Sequence, residues 1–402
     1  MQGFARRHTV QQALDWLDAQ LRALDEETVP LRAAAGRVLA TSVTSDVDVP
    51  GFDRATMDGY AVVSDSTEGA TPYNRITLKV LGDALPGAPF DGTLARGEAV
   101  RIMTGAPVPA GADAVLPAEF VESDASSRVG ALGSVSPGKN VGRRGEDIVR
   151  GTTVLDAGRV LRPQDVGVLS SIGVAHVHVV RQPRVRLVIT GNELLPAGSK
   201  PRQFQITDSN GPMLAALAER DGAIVDFPGQ VRDEADSILA ALRADADVVV
   251  VSGGSSVGIE DLAPSLVAAH GELAVHGIAM RPSSPTGMGR IGRRLVFLLP
   301  GNPVSALCAY DFFAGRAIRA LGGRPKEWPY RPVRATLTRK ISSPIGRLDY
   351  ARVRLVDGQV EPLSVAGASV LSSTTRADGF VVVPDDSEGF PGGAEVEVWL
   401  YA

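Results

Sequence analysis

Four valines that open straight into glycines and serines, DVVVVSGGSSVGIED at residues 247–261, constrain this chain more than any other stretch. A short, unbroken apolar run bounded by turn formers reads as a strand buried on both faces, the environment of a helix-covered parallel sheet. Ligands of such sheets sit outside the carboxyl ends of the strands. The SGGSSVG loop lets backbone approach a ligand closely, and Glu260 and Asp261 set carboxylates beside it. Similar elements alternate around this strand. RVRLVIT ends in Gly191-Asn192-Glu193, and TDSNGPMLAALAERDG reads as a helix with Ser209 or Asn210 as cap, Pro212 in its first turn and Gly222 as its stop. AIVDFPG follows as a strand and DEADSILAALRAD as a helix, and RRLVFLLPG runs into the long helix NPVSALCAYDFFAGRAIRALGG. The alternation predicts a parallel sheet with right-handed crossovers over residues 181–326.

At 402 residues the chain exceeds one ordinary core, so further domains are expected. Thr9 and Gln12 form a capping-box pattern, followed by Val10, Ala13, Leu14, Leu17, Leu21 and Leu24 at helical spacing. A second short helix is expected over about 31–40. Residues 76–121 read as a small β-rich module, and after Pro325 alternation returns as a C-terminal β domain with Asp357-Gly358 as a hairpin turn. The net charge of −5 lacks the basic footprint of nucleic-acid binding. The single cysteine, Cys308, excludes an internal disulfide and suits a reducing cytoplasm. Five scattered histidines do not make a zinc site, and His176 and His178 read as plain strand residues. No apolar run approaches the ~20 residues of a membrane span, and the N-terminus has no signal-peptide core. A soluble cytoplasmic protein is expected.

Three segments place polar groups at strand ends: residues 190–193, 252–261 and 300–305. In the last, Asn302, Pro303 and Ser305 stand where strand turns into helix, a ready anion cradle. Glycines at any one of these turns serve tight turning equally well; three at one sheet edge favour a ligand. Glu193, Asp233 and Asp261 lack nucleophile–base spacing. Acids beside anion-binding loops point to Mg²⁺ shared with phosphate, because Mg²⁺ takes oxygen ligands and usually only one or two protein carboxylates. Each acid alone is equally a solvated loop residue. Asp53 and Asp58 lie in a compact segment, PGFDRATMDGYAV, where Asp58-Gly59 alone is a turn signal. Arg143, Arg144, Glu146 and Asp147 read as a surface ion-pair cluster.

PGFDRATMDGYAV, RIMTGAPVP, GRRGEDI, TGNEL, SGGSSVG and LPGNPVSAL, in this order across essentially the whole chain, resemble the molybdopterin molybdenumtransferases (MoeA) and the E domain of gephyrin. The first and last motifs are the specific ones. The resemblance implies a multidomain fold of α/β plus β class. It has an elongated helical and β dimerisation domain in two pieces (residues 1–48 and 145–180) and an inserted β-rich domain (49–144). An α/β molybdopterin-binding domain (181–326) and a C-terminal β domain (327–402) follow. It also implies a homodimer whose site forms where one subunit's α/β domain meets the other's inserted domain. The implied reaction inserts molybdate into adenylylated molybdopterin and releases AMP. By the same resemblance Asp58, Asp147, Asp233 and Asp261 are the catalytic acids, and Glu193, Asp233 and Asp261 hold Mg²⁺. Thr104, Glu193, Ser252, Gly253, Gly254, Ser255, Gly258, Arg281, Pro300, Gly301, Asn302, Pro303 and Ser305 bind the pterin phosphate.

Departures from the family pattern cluster. Asn192 stands in TGNEL where an acid is usual, and Thr56 replaces a small apolar residue. In GIAMRPSSPTGMG, residues 277–289, active members carry lysines in a pattern like KxxxKPGKP. Here those positions read Gly277, Arg281 and Ser284, so two cations are gone. Arg281 can hold an oxyanion in bidentate fashion but does not replace a flexible ammonium one for one. Two readings follow: an enzyme of molybdenum cofactor synthesis, or a catalytically weakened, gephyrin-like scaffold. The scaffold would bind the cytoplasmic segment of a membrane protein, or a tubulin-like cytoskeletal or cell-division protein. A stand-alone adenylyltransferase would need only the α/β domain.

Overall fold

The computed structural model describes residues 7–123, 127–253, 262–364 and 367–401. The chain divides into two compact units. One comprises Met1–Thr28, Gly36–Ala40 and His178–Ala402; the other comprises Val29–Ala35 and Thr41–Val177.

The first unit opens with helix α1, Val10–Gln20, whose Thr9 cap forms the expected reciprocal box: Gln12 N–H donates to Thr9 Oγ1 (3.1 Å) and Thr9 N–H to Gln12 Oε1 (2.9 Å). Its apolar stripe, Val10, Ala13 and Leu17, is buried. The α/β core runs β1 (Arg184–Thr190), α2 (Asn210–Arg220), β2 (Ile224–Asp226), β3 (Gln230–Val231), α3 (Ala235–Leu242), β4 (Val248–Ser252), α4 (Leu262–His270), β5 (Glu272–His276), β6 (Gly287–Ile291) and β7 (Arg294–Leu299). The sheet order is β2-β1-β4-β7-β6-β5, with β3 also pairing β1. Strands β2, β3, β1, β4 and β7 are parallel, whereas β6 and β5 extend the sheet antiparallel. The sheet is therefore mixed where a parallel one was expected. The reason is the Gly292-Arg293 turn, with Gly292 at φ +61, which folds β6 back on β7 as a hairpin.

The valine run is β4, fully buried. Val248 and Val250 belong to one core, with Leu214 and Ala218 of α2; Val249 and Val251 belong to the other, with Ile238 of α3 and Val267 of α4. Each such side chain contributes ~1.5–3 kcal/mol by leaving water. After β7 a continuous helical stretch follows: α5 (Pro303–Ala309), a π turn (Tyr310–Ala314) and α6 (Gly315–Leu321). Ser209 holds the N-cap position of α2 as expected but makes no side-chain cap bond; Asp208 takes over that task, its Oδ1 accepting from the N–H groups of Asn210 and Gly211, both at 2.9 Å.

The C-terminal strands Leu348–Val356, Gln359–Ser364, Arg331–Leu337, Glu395–Leu400 and Gly379–Val383 pair in that order, and the last pairs back on the first to close a ring. Asp357 and Gly358, both at positive φ, make the expected hairpin turn. A short strand from the α/β region, Met280–Arg281, adds in parallel to Leu348 and Asp349.

In the second unit, six strands line up as Ala114–Pro117, Gly59–Val62, Glu98–Ile102, Ile76–Ala84, Arg128–Ala131 and Val121–Ser123. The expected helix over 31–40, whose residues 36–40 belong to the first unit, is only a single 3-10 turn, Leu31–Ala33, preceded by a strand, Glu26–Pro30, that begins in the first unit. The turn ends at Ala34, whose N–H donates to Leu31 O (3.1 Å). No helix among the described residues is long and apolar enough to cross a membrane.

Asp18 fastens α1 to the far end of the core: Arg316 Nε and Nη2 and Lys326 Nζ all donate to its carboxylate at 2.7 Å. The Arg316 hydrogen bond leads in drawing the Asp18 carboxyl down to about 2. A carboxyl whose folded-state pKa is depressed stabilises above its unfolded value, near 4, and loses that contribution as pH falls toward 2. Asp18→Asn is expected to cost about 1 kcal/mol at pH 7, given solvent screening of a partly exposed pair. Urea unfolding should show the difference from wild type shrinking between pH 4 and pH 2; a constant gap would contradict it.

Candidate active site

Strands β1, β4 and β7 end level with one another, since Ile189 lies opposite Ser252 and Ser252 opposite Leu299. Gly253 continues β4 at φ +99, and a Cβ there would fall 2.2 Å from the Thr190 carbonyl oxygen. One on Gly301 would lie 3.7 Å from Gly253 Cα, an ordinary contact, so the convergence of backbones requires glycine at 253 and not at 301. Asn210, the first residue of α2, pins it: its Nδ2 donates to Ser252 Oγ (2.9 Å) and to Gly301 O (2.8 Å). Asn210 Oδ1 and Thr190 Oγ1 are shielded from solvent without a hydrogen-bond partner among the described residues. Leaving such groups unmade costs ~1–3 kcal/mol each, so this edge is built for polar contacts rather than packing.

Two of the expected acids follow adjacent strand ends. Glu193 comes three residues after β1, its carboxylate folded over Gly191, where a Cβ would meet Glu193 Oε2 at 2.9 Å. Asp233 comes two residues after β3, which pairs β1 through Thr190 and Val231. Asp261, Gly254, Ser255 and Gly258 lie outside the described residues. Among the described residues no three His, Cys, Asp or Glu side chains gather closely enough to hold a metal ion.

Beside this edge opens a cavity of about 810 Å³. Its wall includes Arg281, Pro300, Asn302 and Ser305 from the expected set, together with Ser283, Ser284, Arg7, Arg347 and Arg352. The 277–286 segment is folded as a closed loop, with Gly277 N–H donating to Thr286 O (3.0 Å) and Ile278 N–H to Ser284 O (2.8 Å). Ser283 Oγ donates to Ser305 O (2.6 Å) and so ties that loop to α5. Arg347 Nε donates to Asp349 Oδ1 (2.9 Å), and Arg352 is buried within its strand, where desolvation draws its pKa below the usual arginine value. At the start of α5, where an anion cradle was expected, one N–H is already taken. The Val304 N–H donates to Ala368 O (3.0 Å), because the C-terminal domain's loop closes over it.

In the second unit, Asp58 and Thr104 meet: Thr104 N–H and Oγ1 both donate to Asp58 Oδ1 at 2.7 Å. These bonds, the backbone one foremost, hold the exposed Asp58 carboxyl below the usual carboxylate range. Gly59 is dictated by close approach rather than by turning, since a Cβ would lie 2.0 Å from Leu116 O of the neighbouring strand. Arg143 and Arg144 form surface ion pairs, but with Asp53 and Asp48 rather than with Glu146 or Asp147, and Glu146 pairs with Arg54 instead. Arg143 Nη1 donates to Asp53 Oδ2 (2.7 Å) and Arg144 Nε to Asp48 Oδ2 (2.6 Å). Asp147 is exposed, with its N–H donating to Val49 O (3.0 Å). Sequence reasoning missed Asn210's clamp and the cavity's Arg7, Arg347 and Arg352. Only Arg352 left a signal, a charge at a buried position of the strand LDYARVRLV.

Three family descriptions match the chain in order. They are the MoeA N-terminal region (domain I and II) at residues 8–173, a probable molybdopterin binding domain at 186–320, and the MoeA C-terminal region (domain IV) at 334–401. Molybdopterin molybdenumtransferase 2 of Mycobacterium tuberculosis is 36% identical over 94% of this chain and 96% of its own length. Molybdopterin molybdenumtransferase of Staphylococcus aureus is 31% identical over 97% and 95%. A crystal structure of the molybdopterin biosynthesis MoeA protein from Pyrococcus horikoshii matches with a TM-score of 0.82 at 35% identity, covering 99% of this chain and 100% of that one. A second from the same organism gives 0.78 at 31% identity, covering 98% and 100%.

Thr104→Val removes one of the two donors on Asp58. Carboxyl NMR titration should then find the Asp58 pKa moved up toward the ordinary range, and an unmoved value would show that the hydroxyl contributes nothing.

Proposed function

The chain belongs to the MoeA family of molybdenum cofactor biosynthesis proteins, and from that premise we propose that it inserts molybdate into adenylylated molybdopterin with release of AMP. The observation that carries this reading is the cavity wall: four arginines, no carboxylate among its described lining residues, and Asn302 and Ser305 beside them. Guanidinium groups bind oxyanions through paired, charge-assisted hydrogen bonds, so the cavity suits a tetrahedral oxyanion such as molybdate. The strand edge at Thr190, Ser252, Gly253 and Gly301 brings backbone close enough to hold the pterin phosphate.

Glu193 and Asp233, hard oxygen donors after neighbouring strands, fit the one or two carboxylates that Mg²⁺ takes beside phosphate; with Asp261 they would hold it. When bound, Mg²⁺ neutralises charge on phosphate oxygens. Cleavage of the phosphoanhydride builds negative charge on those oxygens, and fixed donors around it lower the barrier without reorganising. Asp58, held in place by two hydrogen bonds from Thr104, and the exposed Asp147 are the catalytic acids of the other unit. We assign them to act on the substrate of a partner subunit in a homodimer. The four-domain division with boundaries at 48, 144, 180 and 326 belongs to the same reading, as does a cytoplasmic setting in which Cys308 stays reduced. No described feature favours the scaffold alternative.

Full-length protein with Mg²⁺ and adenylylated molybdopterin is expected to release AMP on addition of molybdate, and Asp58→Ala to abolish that release. Full turnover by Asp58→Ala would remove Asp58 from the site. Absence of molybdate-dependent AMP release by the wild type would overturn the enzymatic reading.

A further inference from the structure

The cavity's cations come from three distant parts of the chain, and they are not equally committed. Arg347 is held by Asp349 at 2.9 and 3.3 Å. Arg281 and Arg7 have no carboxylate partner among the described residues, although both stand on the same wall. Arg281 belongs to the loop itself. Arg7 arrives from the chain's beginning, and its place is set by backbone rather than by chance exposure. His8 N–H donates to Gly277 O (3.0 Å) and Ala279 N–H donates to His8 O (2.8 Å), a parallel bridge that lays residues 7–9 along the cavity loop. Immediately beyond, Thr9 caps α1, and Asp18 fastens α1 to Arg316 and Lys326. The strap is therefore fixed at both ends.

Its landing point is where the loop is poorest in charge. Gly277 has no side chain and sits at φ +88, a conformation in which a lysine would be strained, and Ser284 is neutral. We infer that Arg7 is an oxyanion-binding residue, delivered by the N-terminal strap to supply the positive charge that the 277–285 segment lacks. The inference rests on the proposed function, because it takes molybdate as the anion. Arg7 lies on the cavity wall rather than at the strand edge assigned to the phosphoanhydride. Its contribution is to hold molybdate, not to stabilise charge developing during cleavage. It therefore acts on affinity and leaves the turnover of bound substrate nearly unchanged.

The test compares full-length wild type, Arg7→Gln, Arg7→Lys and the double variant Arg7→Gln/Ser284→Lys. Inorganic molybdate is titrated calorimetrically, with sulfate as a second anion, and molybdate-dependent AMP release is followed in parallel. Loss of one charge-assisted contact is expected to weaken molybdate binding about 10-fold in Arg7→Gln, raising the KM for molybdate to match with kcat within about 2-fold. Arg7→Lys should retain part of the affinity. Ser284→Lys, which restores a cation on the same wall from a different backbone position, should bring the Arg7→Gln protein back to within about 3-fold of wild type. A role in holding the strap alone would not be rescued from position 284. Wild-type binding and turnover with an unaltered Arg7→Gln would overturn the inference and leave the proposed function standing. Failure of rescue, with kcat and affinity falling together, would make Arg7 structural and overturn it too. A wild type that neither binds molybdate nor releases AMP would overturn both.

Discussion

The strand edge at the heart of the candidate site depends on one strand having no exposed face. Val248 to Val251 alternate between two separate cores, so the helices on both sides of the sheet are packed against the same four residues. A strand held that way cannot slip by one residue, because a slip would exchange the two cores' side chains. Its neighbours are fixed with it, and the ends of β1, β4 and β7 fall at one level. That is why Thr190, Gly253 and Gly301 touch and why a single amide, Asn210, can hold two of the strand ends.

The arginine cavity arises differently, from connections rather than from a single element. The short strand Met280–Arg281 leaves the α/β core to join the C-terminal sheet beside Asp349, and the N-terminal strap lies along the loop that precedes it. A cavity assembled from three remote segments has a composition that each segment can alter independently. This chain carries arginine at 7 and 281 and no side chain at 277.

What was legible in the sequence were features with a local cause. The buried strand, the Thr9 capping box and the Asp357-Gly358 hairpin each announce themselves within a few residues. Gly253, read as backbone able to approach a ligand, lies close against the Thr190 carbonyl. Less legible were features whose cause is remote. The β6 strand was missed because GMGRI lacks alternation; Gly289 is required by the Glu272 carbonyl of another strand, 2.0 Å from where its Cβ would be. The helix expected over 31–40 failed because Leu39 bridges Val179, a partner far along the chain. Arg7 carries no local sign of its destination at all. Residues that read as one constellation divide between two compact units, with Asp58, Thr104 and Asp147 in one and the strand-edge groups in the other.

The Asp18–Arg316 contact joins residues 298 positions apart, and it has a consequence measured in time. At ~5–20 residues per second of synthesis, α1 emerges about 15–60 s before its partner exists. Val10, Ala13 and Leu17 also wait for a core whose first strand residues, Val185 and Leu187, lie far along the chain, and the strap waits for the loop at 277–286. Residues 7–20 thus reach their final place only after most of the chain is made, and the cavity closes only once the C-terminal strands have been made.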